Sequence, residues 1–385
     1  MDHSEKGRLL EQARLNSTVP PPTAEAQLAF LAKVQRLFAE GDFTATYKYA
    51  LLISLADLAV EVGSDDGAEL TLTNRQIAER FIQLYWRHST PYGTGRTDTQ
   101  PGVLVQNLGD QAAVLTAICQ YRESTPGITI QQARKEPGYA ALLTKVATVV
   151  SAQPLNYLQN FGGVTDTFLY ERAGRGGIAL KPGVAYCLRR FYTLVQQLSR
   201  THWVDHIKTN RRNHLILGDA SDLEDFLFSA SRQSLSIVGA ELRKLDGHRC
   251  FYCGRNLTGA DVDHFVPFSL YPRDQAHNFV LAHPECNRSK SDTLAAKPHL
   301  EKWLQRLVTR TDELREIGVK AGMASDGVTA NRVAAWGYAA ANAAGGRAWL
   351  SAASYEPVTQ DYLVLLNTLV VGDFVQETWT VHPLP

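Results

Sequence analysis

The sequence predicts a mainly α-helical protein that contains one small, cysteine-rich domain, and three observations support this fold class. Over the first 245 residues, apolar side chains recur mostly at helical spacing, and few alternating runs indicate strands. Three of the five cysteines then fall within residues 250–286. After residue 297 the apolar pattern becomes helical again. We therefore expect a large helical N-terminal region, a small domain, and a helical C-terminal tail.

The composition is that of an ordinary globular protein, with 44% hydrophobic and 20% charged residues. A chain of 385 residues is long enough for two or three domains. Lysine plus arginine equals aspartate plus glutamate at 39 each, so any binding of nucleic acid would require a local basic patch. The first residues lack the apolar core of a secretory signal, and no apolar run reaches the length of a membrane span. The sequence thus predicts a cytoplasmic protein with no membrane contact.

Four regions are predicted along the chain. Residues 1–22 form a leader that ends in three prolines, and residues 23–230 form a helical region. Residues 231–310 form the small domain, and residues 311–385 form a helical C-terminal region. The boundaries follow changes in apolar periodicity and the positions of glycine and proline.

Local signals predict the individual helices of the N-terminal region. Apolar residues from Leu51 to Val62 lie on one helical face. Thr73 and Gln76 form a capping box that begins the next helix. Further helices are predicted at 109–122, 137–151 and 182–207. The Gly-rich segment 171–177 is predicted to be a turn, because it lacks the residues of a phosphate-binding loop.

Two predicted helices flank the centre of the small domain. Residues 231–245 form the first, which Gly247 ends. Pro298 begins the second, whose apolar face is expected to pack back onto the small domain. The Ala-rich segment 333–346 and the apolar segment 362–370 are assigned packing or assembly roles.

Two pairs of soft metal ligands lie between these helices. Cys250 and Cys253 are separated by two residues, as are His283 and Cys286, and 29 residues lie between the pairs. Zinc accepts three thiolates and one imidazole in a tetrahedron. Because the protein fills all four positions, the predicted zinc is structural and would stabilise a domain with a small core. The alternative is that the cysteines are reduced and buried without a metal.

A second pattern lies between and beside these pairs, and it reads DVDHFVP from Asp261, HNFVL from His277 and NRSKSD from Asn287. The pattern resembles the HNH endonuclease family, the ββα-metal nucleases, over residues 241–310. The third position holds asparagine instead of histidine, an H-N-N variant that also occurs in the nuclease domain of RNA-guided CRISPR effectors. The resemblance implies a zinc-stapled ββα-metal nuclease domain with a Cys3His zinc site.

The resemblance and the chemistry of phosphodiester hydrolysis assign roles to four residues. His264 is the expected general base that takes a proton from water. Asp263 and Asn287 are expected to hold the catalytic cation, because a carboxylate and an amide favour Mg²⁺ or Mn²⁺ over softer metals. Asn278 is expected, by family analogy, to hold the loop that orients His264.

Four neighbouring side chains are given supporting roles. Arg288 and Lys290 are placed to contact phosphate. Asp261 shares a strand face with Asp263, so it either supports the cation or is a surface acid. His277 is either an accessory residue or a part of the loop.

One segment of the N-terminal region is strongly basic. Between residues 181 and 213 the single acid is Asp205. The basic residues of this strip are Lys181, Arg189, Arg190, Arg200, Lys208, Arg211 and Arg212. The strip is either a solvated helix face or a surface that follows DNA phosphates without reading sequence, and Arg189, Arg190, Arg211 and Arg212 are the predicted DNA contacts.

These patterns predict a Mg²⁺-dependent DNA endonuclease that nicks or cuts duplex DNA. One site per chain cuts one strand, so a double-strand break requires a homodimer or two events. Residues 23–230 would then regulate the enzyme or bind DNA or a partner. The architecture suits an effector of bacterial anti-phage defence that acts with other defence-system proteins. Two alternatives stay open: a non-catalytic zinc-stabilised protein that binds nucleic acid or a partner, and a restriction or mobile-element HNH nuclease.

Overall fold

Helices dominate the computed structural model, which describes residues 19–94, 99–174, 176–218 and 222–372. Of the predicted leader, residues 1–18 lie outside the described residues. The helices are α1 (Ala24–Glu40), α2 (Tyr47–Val62), α3 (Asn74–His88), α4 (Ala113–Ser124), α5 (Ile130–Ala133), α6 (Tyr139–Ala152), α7 (Pro154–Tyr157), α8 (Val184–Arg190), α9 (Tyr192–Thr209), α10 (His214–Leu217), α11 (Leu223–Phe228), α12 (Arg232–Asp246), α13 (Pro284–Lys290), α14 (Lys297–Thr309), α15 (Thr311–Ala321), α16 (Gly327–Ala343) and α17 (Gln360–Gly372).

The strands are short and form small antiparallel sheets. They are β1 (Leu70–Thr73), β2 (Asn160–Phe161), β3 (Val164–Thr165), β4 (Tyr170–Ala173), β5 (Gly177–Leu180), β6 (Asp261–His264), β7 (Phe279–Ala282), β8 (Arg347–Ser351) and β9 (Ser354–Pro357). A three-stranded sheet has the order β1-β5-β4, and the other strands pair as β2–β3, β6–β7 and β8–β9. The predicted fold class, mainly helical with a small ββα element, is confirmed.

The local helix signals have direct structural counterparts. The Thr73 hydroxyl accepts a hydrogen bond from the Gln76 backbone N–H (3.1 Å), and the Gln76 side-chain oxygen accepts one from the Thr73 backbone N–H (2.9 Å). The predicted capping box is therefore confirmed as the start of α3. The helix predicted at 182–207 is instead two helices, α8 and α9, because the backbone leaves helical geometry at Phe191 (φ −106°, ψ 23°).

The sheet β1-β5-β4 is the main element of the N-terminal half that the sequence did not predict. The Gly-rich segment 171–177, predicted to be a turn, is strand at both ends: residues 171–173 belong to β4 and Gly177 belongs to β5. Gly174, which follows β4, has a φ of 60°. Gly177 allows β1 to approach closely, because a Cβ atom there would lie 2.2 Å from the backbone oxygen of Leu72. A side chain at this position would therefore separate the strands.

The chain divides into two compact units. The first comprises Met1–Ser124 and Ala140–Ala220, and the second comprises Thr125–Tyr139 and Ser221–Pro385. This division does not separate residues 231–310 from residues 311–385, which the sequence assigns to two regions. Within the described ranges, no helix has the length and apolar content needed to cross a membrane.

The first unit is built around α2. Every residue of this helix from Lys48 to Glu61 is buried, and α3, α8 and α9 pack against it. A helix that is buried on all sides must pair its polar groups. Asp57 does so by accepting hydrogen bonds from the Tyr192 hydroxyl and the Gln196 amide, both at 2.8 Å.

The second unit is built around the hairpin of β6 and β7. Helices α12 and α13 pack against this hairpin. Trp303 of α14 stacks on Phe265 with ring centroids 4.7 Å apart, so α14 packs back onto the small domain as predicted. Buried Arg306 of α14 is paired with Asp246 at 2.9 Å. The C-terminal region also contains the hairpin β8–β9, which contacts α13 and α14 through β8 and which the sequence did not indicate.

Candidate metal centre and active site

Cys250, Cys253, His283 and Cys286 form one cluster at the edge of the β6–β7 hairpin. Their ligand atoms all lie within 4.8 Å of one another. His283 Nδ1 is 3.3 Å from the Cys253 sulfur, and His283 Nε2 donates to the backbone oxygen of Asn256 at 2.9 Å. The second contact places the proton on Nε2, so the lone pair of Nδ1 faces the sulfurs.

Electrostatics favours a cation in this cluster. Burial by itself raises the pKa of the Cys253 thiol, but hydrogen bonds from Arg255 outweigh it, and its pKa falls to about 6. Burial and the nearby thiols of Cys250 and Cys253 raise the pKa of Cys286 to about 12. Several thiolates therefore resist coexisting here without a cation between them. The donor set and its spacing fit zinc, which binds three cysteines and a histidine tetrahedrally.

Strands β6 and β7 and helix α13 form a ββα unit that holds the second predicted site. Asp263 pairs with Val280 and His264 with Phe279 across the antiparallel hairpin. His283 precedes α13 as its N-cap residue, and Pro284 is its first residue. His283 of the four-residue cluster therefore lies in the turn that begins α13, and α13 packs against β6.

Side chains of β6 and α13 meet in two contacts. The Asn287 amide donates to Asp261 Oδ2 at 3.1 Å. One turn further along α13, the Lys290 ammonium lies 3.2 Å from Asp263 Oδ2. Asp261 and Asp263 are two residues apart on the strand and share a face, as do Asn287 and Lys290 on the helix. The structure therefore brings Asp261, rather than Asp263, into direct contact with Asn287.

The carboxylate of Asp263 is buried and carries two protein partners. The Tyr252 hydroxyl donates to Asp263 Oδ2, and Lys290 is the second partner. Lys290 also donates to the backbone oxygen of His264 at 2.8 Å, and its side chain is fully buried. The predicted phosphate contact of Lys290 is therefore corrected: its ammonium faces inward to neutralise Asp263. Arg288 is exposed on the same helix.

Replacing Lys290 with Met is expected to destabilise the ββα unit by about 3–5 kcal/mol, because the buried Asp263 carboxylate would lose its compensating charge. Hydrogen exchange of the β6 and β7 amides measures the free energy of opening. The matched control is Lys297→Met, whose ion pair with Asp361 is exposed and 3.9 Å long. That control should change stability by less than about 1 kcal/mol. Equal protection in both variants would contradict the structural role of Lys290.

His264 is held on three sides. Its ring lies 4.5 Å from the ring of Phe279 and 5.1 Å from that of Phe268. Its Nε2 atom is 2.7 Å from Asp274 Oδ1. Sequence reasoning missed Asp274, although an acid in the loop between an Asp-His pair and Asn278 was a usable signal.

Asn278 braces the chain that follows His264. Its amide donates to the backbone oxygen of Val266 at 2.9 Å, and its side-chain oxygen accepts from the Val266 N–H at 2.8 Å. His277 lies beside it in the core, bonded to the hydroxyls of Ser325 and Thr311. Burial lowers the pKa of His277 to about 4, so it stays neutral and serves packing.

The basic strip of the first unit is not one exposed face. Arg189 is 6% exposed, and its guanidinium donates to the backbone oxygens of Ala59 and Val60 and pairs with Asp65 at 2.8 Å. Its predicted contact with DNA is therefore corrected: Arg189 binds backbone carbonyls in the last turn of α2. Arg200 is also buried. The exposed predicted contacts are Arg190, Arg211 and Arg212.

Comparisons with known proteins returned two family matches. Residues 27–223 match the family described as a domain of unknown function, DUF8808. Residues 250–296 match the family described as HNH endonuclease. This second match contains both ligand pairs, Asp263, His264, Asn278 and Asn287. No curated protein matched the chain. No solved structure matched it either.

Proposed function

Because the chain belongs to the DUF8808 family and carries an HNH endonuclease domain at residues 250–296, we propose that it is a metal-dependent endonuclease that hydrolyses phosphodiester bonds in DNA. The observation that carries this proposal is the geometry of the ββα unit. A partly exposed histidine on β6 lies next to an acidic strand face, and α13 places an asparagine against that face. The histidine can act as a general base, and the carboxylate and amide oxygens can bind a hard cation.

His264 is the proposed general base. A phosphodiester is attacked by water that must lose a proton, and an imidazole within reach of that water accepts the proton near neutral pH. The contact of Nε2 with Asp274 leaves Nδ1 as the basic nitrogen of the neutral ring. The side chain of His264 is 20% exposed, which gives water access to it.

Asp263 and Asn287 are the proposed ligands of a Mg²⁺ or Mn²⁺ ion, and Asp261 is proposed as a third oxygen donor because Asn287 contacts its carboxylate. Carboxylate and amide oxygens are the donors that these cations prefer, so the residues present fit the ion. When bound, the cation supplies positive charge that stabilises the transition state at the phosphate. The ammonium of Lys290 shares the Asp263 carboxylate and limits how much negative charge this site offers.

DNA contacts are proposed for the exposed cations. Arg288 follows Asn287 on α13 and is placed to bind a phosphate next to the one being cut. Arg190, Arg211 and Arg212 of the first unit are proposed to bind DNA phosphates. One site per chain supports the cutting of one strand in each event. The helical region 23–230 is proposed to bind a partner or DNA, or to restrict access to the site.

The test uses the full-length protein and supercoiled plasmid, with Mg²⁺, Mn²⁺ or EDTA. We expect nicked or linear plasmid with either cation and intact plasmid in EDTA. The Asn287→Ala variant should require at least about 10-fold more Mg²⁺ for the same rate, because losing a ligand should cost no less than losing an outer-shell partner, which typically costs about 10–100-fold. Asn342→Ala, at the end of α16, is the matched control and should cut like the wild type.

Two outcomes would overturn the proposal. Plasmid left intact by the wild type with every cation would remove the endonuclease activity. Equal cation dependence of the wild type and Asn287→Ala would remove the proposed cation site. Parallel reactions on single-stranded RNA test the substrate: cleavage of RNA alone would contradict the choice of DNA.

A further inference from the structure

We propose that Asp274 is the positioning residue for His264. Its carboxylate holds the proton on Nε2 of the ring, so that Nδ1 is the nitrogen that takes a proton from water. This inference rests on the proposed nuclease function and adds a residue to it. No ligand or partner is required for the contact, because both residues lie in the second unit and touch directly.

Both oxygens of the Asp274 carboxylate are engaged. Oδ1 is 2.7 Å from His264 Nε2, and Oδ2 accepts a hydrogen bond from the backbone N–H of Ala230 at 2.7 Å. A carboxylate fixed at both ends cannot rotate away from the ring. Ala230 lies just before α12, so the N–H group that holds Asp274 Oδ2 belongs to the backbone at the start of a helix. The orientation of the acid is thus set by the fold before any substrate arrives.

The surroundings strengthen this contact. The side chains of Asp274 and His264 are 12% and 20% exposed, so water competes weakly for either group. The rings of Phe268 and Phe279 border the imidazole and limit its rotation. A ring that cannot turn, with one nitrogen paired to an acid, presents the other nitrogen in a constant direction.

The chemistry needs such a partner. Neutral imidazole has one N–H and one lone pair, and which nitrogen carries the proton is set by the hydrogen bond that the other atom makes. An acid that accepts from one nitrogen selects the tautomer and stabilises the imidazolium formed after proton transfer. Asp263 is adjacent in sequence, but its carboxylate is bonded to Tyr252 and Lys290. Among the residues that the structure describes, Asp274 is the acid whose carboxylate contacts the His264 ring.

The variants Asp274→Asn and Asp274→Glu test the proposal in single-turnover and steady-state cleavage. Asparagine keeps the shape but has only one acceptor oxygen for the two donors, Ala230 N–H and His264 Nε2–H. We expect kcat to fall by about 10–100-fold, while KM stays within about twofold. This loss is smaller than the full contribution of a general base, because His264 itself is still present. Glutamate keeps the charge and should restore part of the lost rate. Asp312→Asn, on the exposed face of α15, is the matched control and should be unaffected.

A second readout does not depend on cleavage. In protein labelled with ¹⁵N-histidine, the ring nitrogen shifts report which nitrogen carries the proton, and the signal missing from His264→Ala identifies His264. We expect the Nε2–H form in the wild type and a shift towards the Nδ1–H form in Asp274→Asn. Amide exchange of β6 and β7 confirms that each variant is folded.

The outcomes separate the inference from the proposed function. If the wild type cuts DNA and Asp274→Asn keeps its kcat, the inference fails and the nuclease stands. A reduced kcat with an unchanged tautomer also contradicts the inference, since the loss would then be structural. If the wild type does not cut, the nuclease proposal fails. The NMR result then decides on the role of Asp274 alone: a shift of His264 to the Nδ1–H form in Asp274→Asn supports that role, and an unchanged tautomer overturns it.

Discussion

Removal of zinc is expected to open the ββα unit and to abolish cleavage. Structural zinc in small peptides contributes about 10–16 kcal/mol of apparent binding free energy, which is lost when the ion is removed. The ligands Cys250 and Cys253 lie on one loop, and His283 and Cys286 lie at the start of α13. Without the ion, nothing bound by all four residues would hold these two segments together. The Cys286→Ser variant should therefore contain less zinc and lose amide protection in β6 and β7.

Elemental analysis and hydrogen exchange measure the two effects, and Cys119→Ser is the matched control. Cys119 lies on α4, outside the cluster, and its substitution should leave the zinc content unchanged. Acid should have the same effect as the substitution, because thiols and imidazole bind zinc only when deprotonated. Folded wild-type protein without zinc, or full zinc occupancy in Cys286→Ser, would contradict the Cys3His assignment.

The His264→Ala variant is expected to cut DNA about 10²–10⁴-fold more slowly than the wild type, because it lacks the general base. Its affinity for DNA should be unchanged, since the ring is 20% exposed and lies beside an acidic strand rather than in the basic strip. Single-turnover rates measure the first quantity, and fluorescence anisotropy of labelled duplex in EDTA measures the second.

The exposed His248 provides the matched control for this variant. His248→Ala removes an imidazole from the same unit without touching β6, and it should cut at the wild-type rate. Two results would contradict the assignment of the base. One is a His264→Ala rate equal to that of the wild type, and the other is a slow rate explained entirely by weaker DNA binding.

Features that depend on local spacing could be predicted from the sequence. The cluster of Cys250, Cys253, His283 and Cys286 was predictable because two residues separate the members of each pair, which places both side chains at one tight turn. The start of α3 was predictable because Thr73 and Gln76 satisfy one another within a single helical turn. The family resemblance implied a ββα arrangement around the Asp-His pair, and the structure places this pair on β6 with α13 beginning at Pro284.

Features that depend on distant parts of the chain could not be predicted. Arg189 and Lys290 were both predicted to bind phosphate, yet both face inward to partners far away in sequence. The backbone oxygens that Arg189 binds lie about 130 residues earlier, and Asp263 lies 27 residues before Lys290. Charge alone does not reveal whether a cation faces solvent or a buried acid. The sheet β1-β5-β4 was missed because four-residue strands carry too little alternation to recognise.

The shared turn at His283 has a consequence for how this domain tolerates change. Cys286 belongs to the four-residue cluster, and Asn287, the next residue, contacts Asp261, so two neighbouring side chains of one helical turn belong to two different sites. Each residue of an α-helix advances the rotation by about 100°. Inserting one residue between these two positions would rotate Asn287 by about 100° around the helix axis, away from β6, and would leave the four residues of the cluster in place. Lys290 follows on the same helix and would also leave Asp263, so the altered domain would keep its four ligand residues but lose both contacts between α13 and β6.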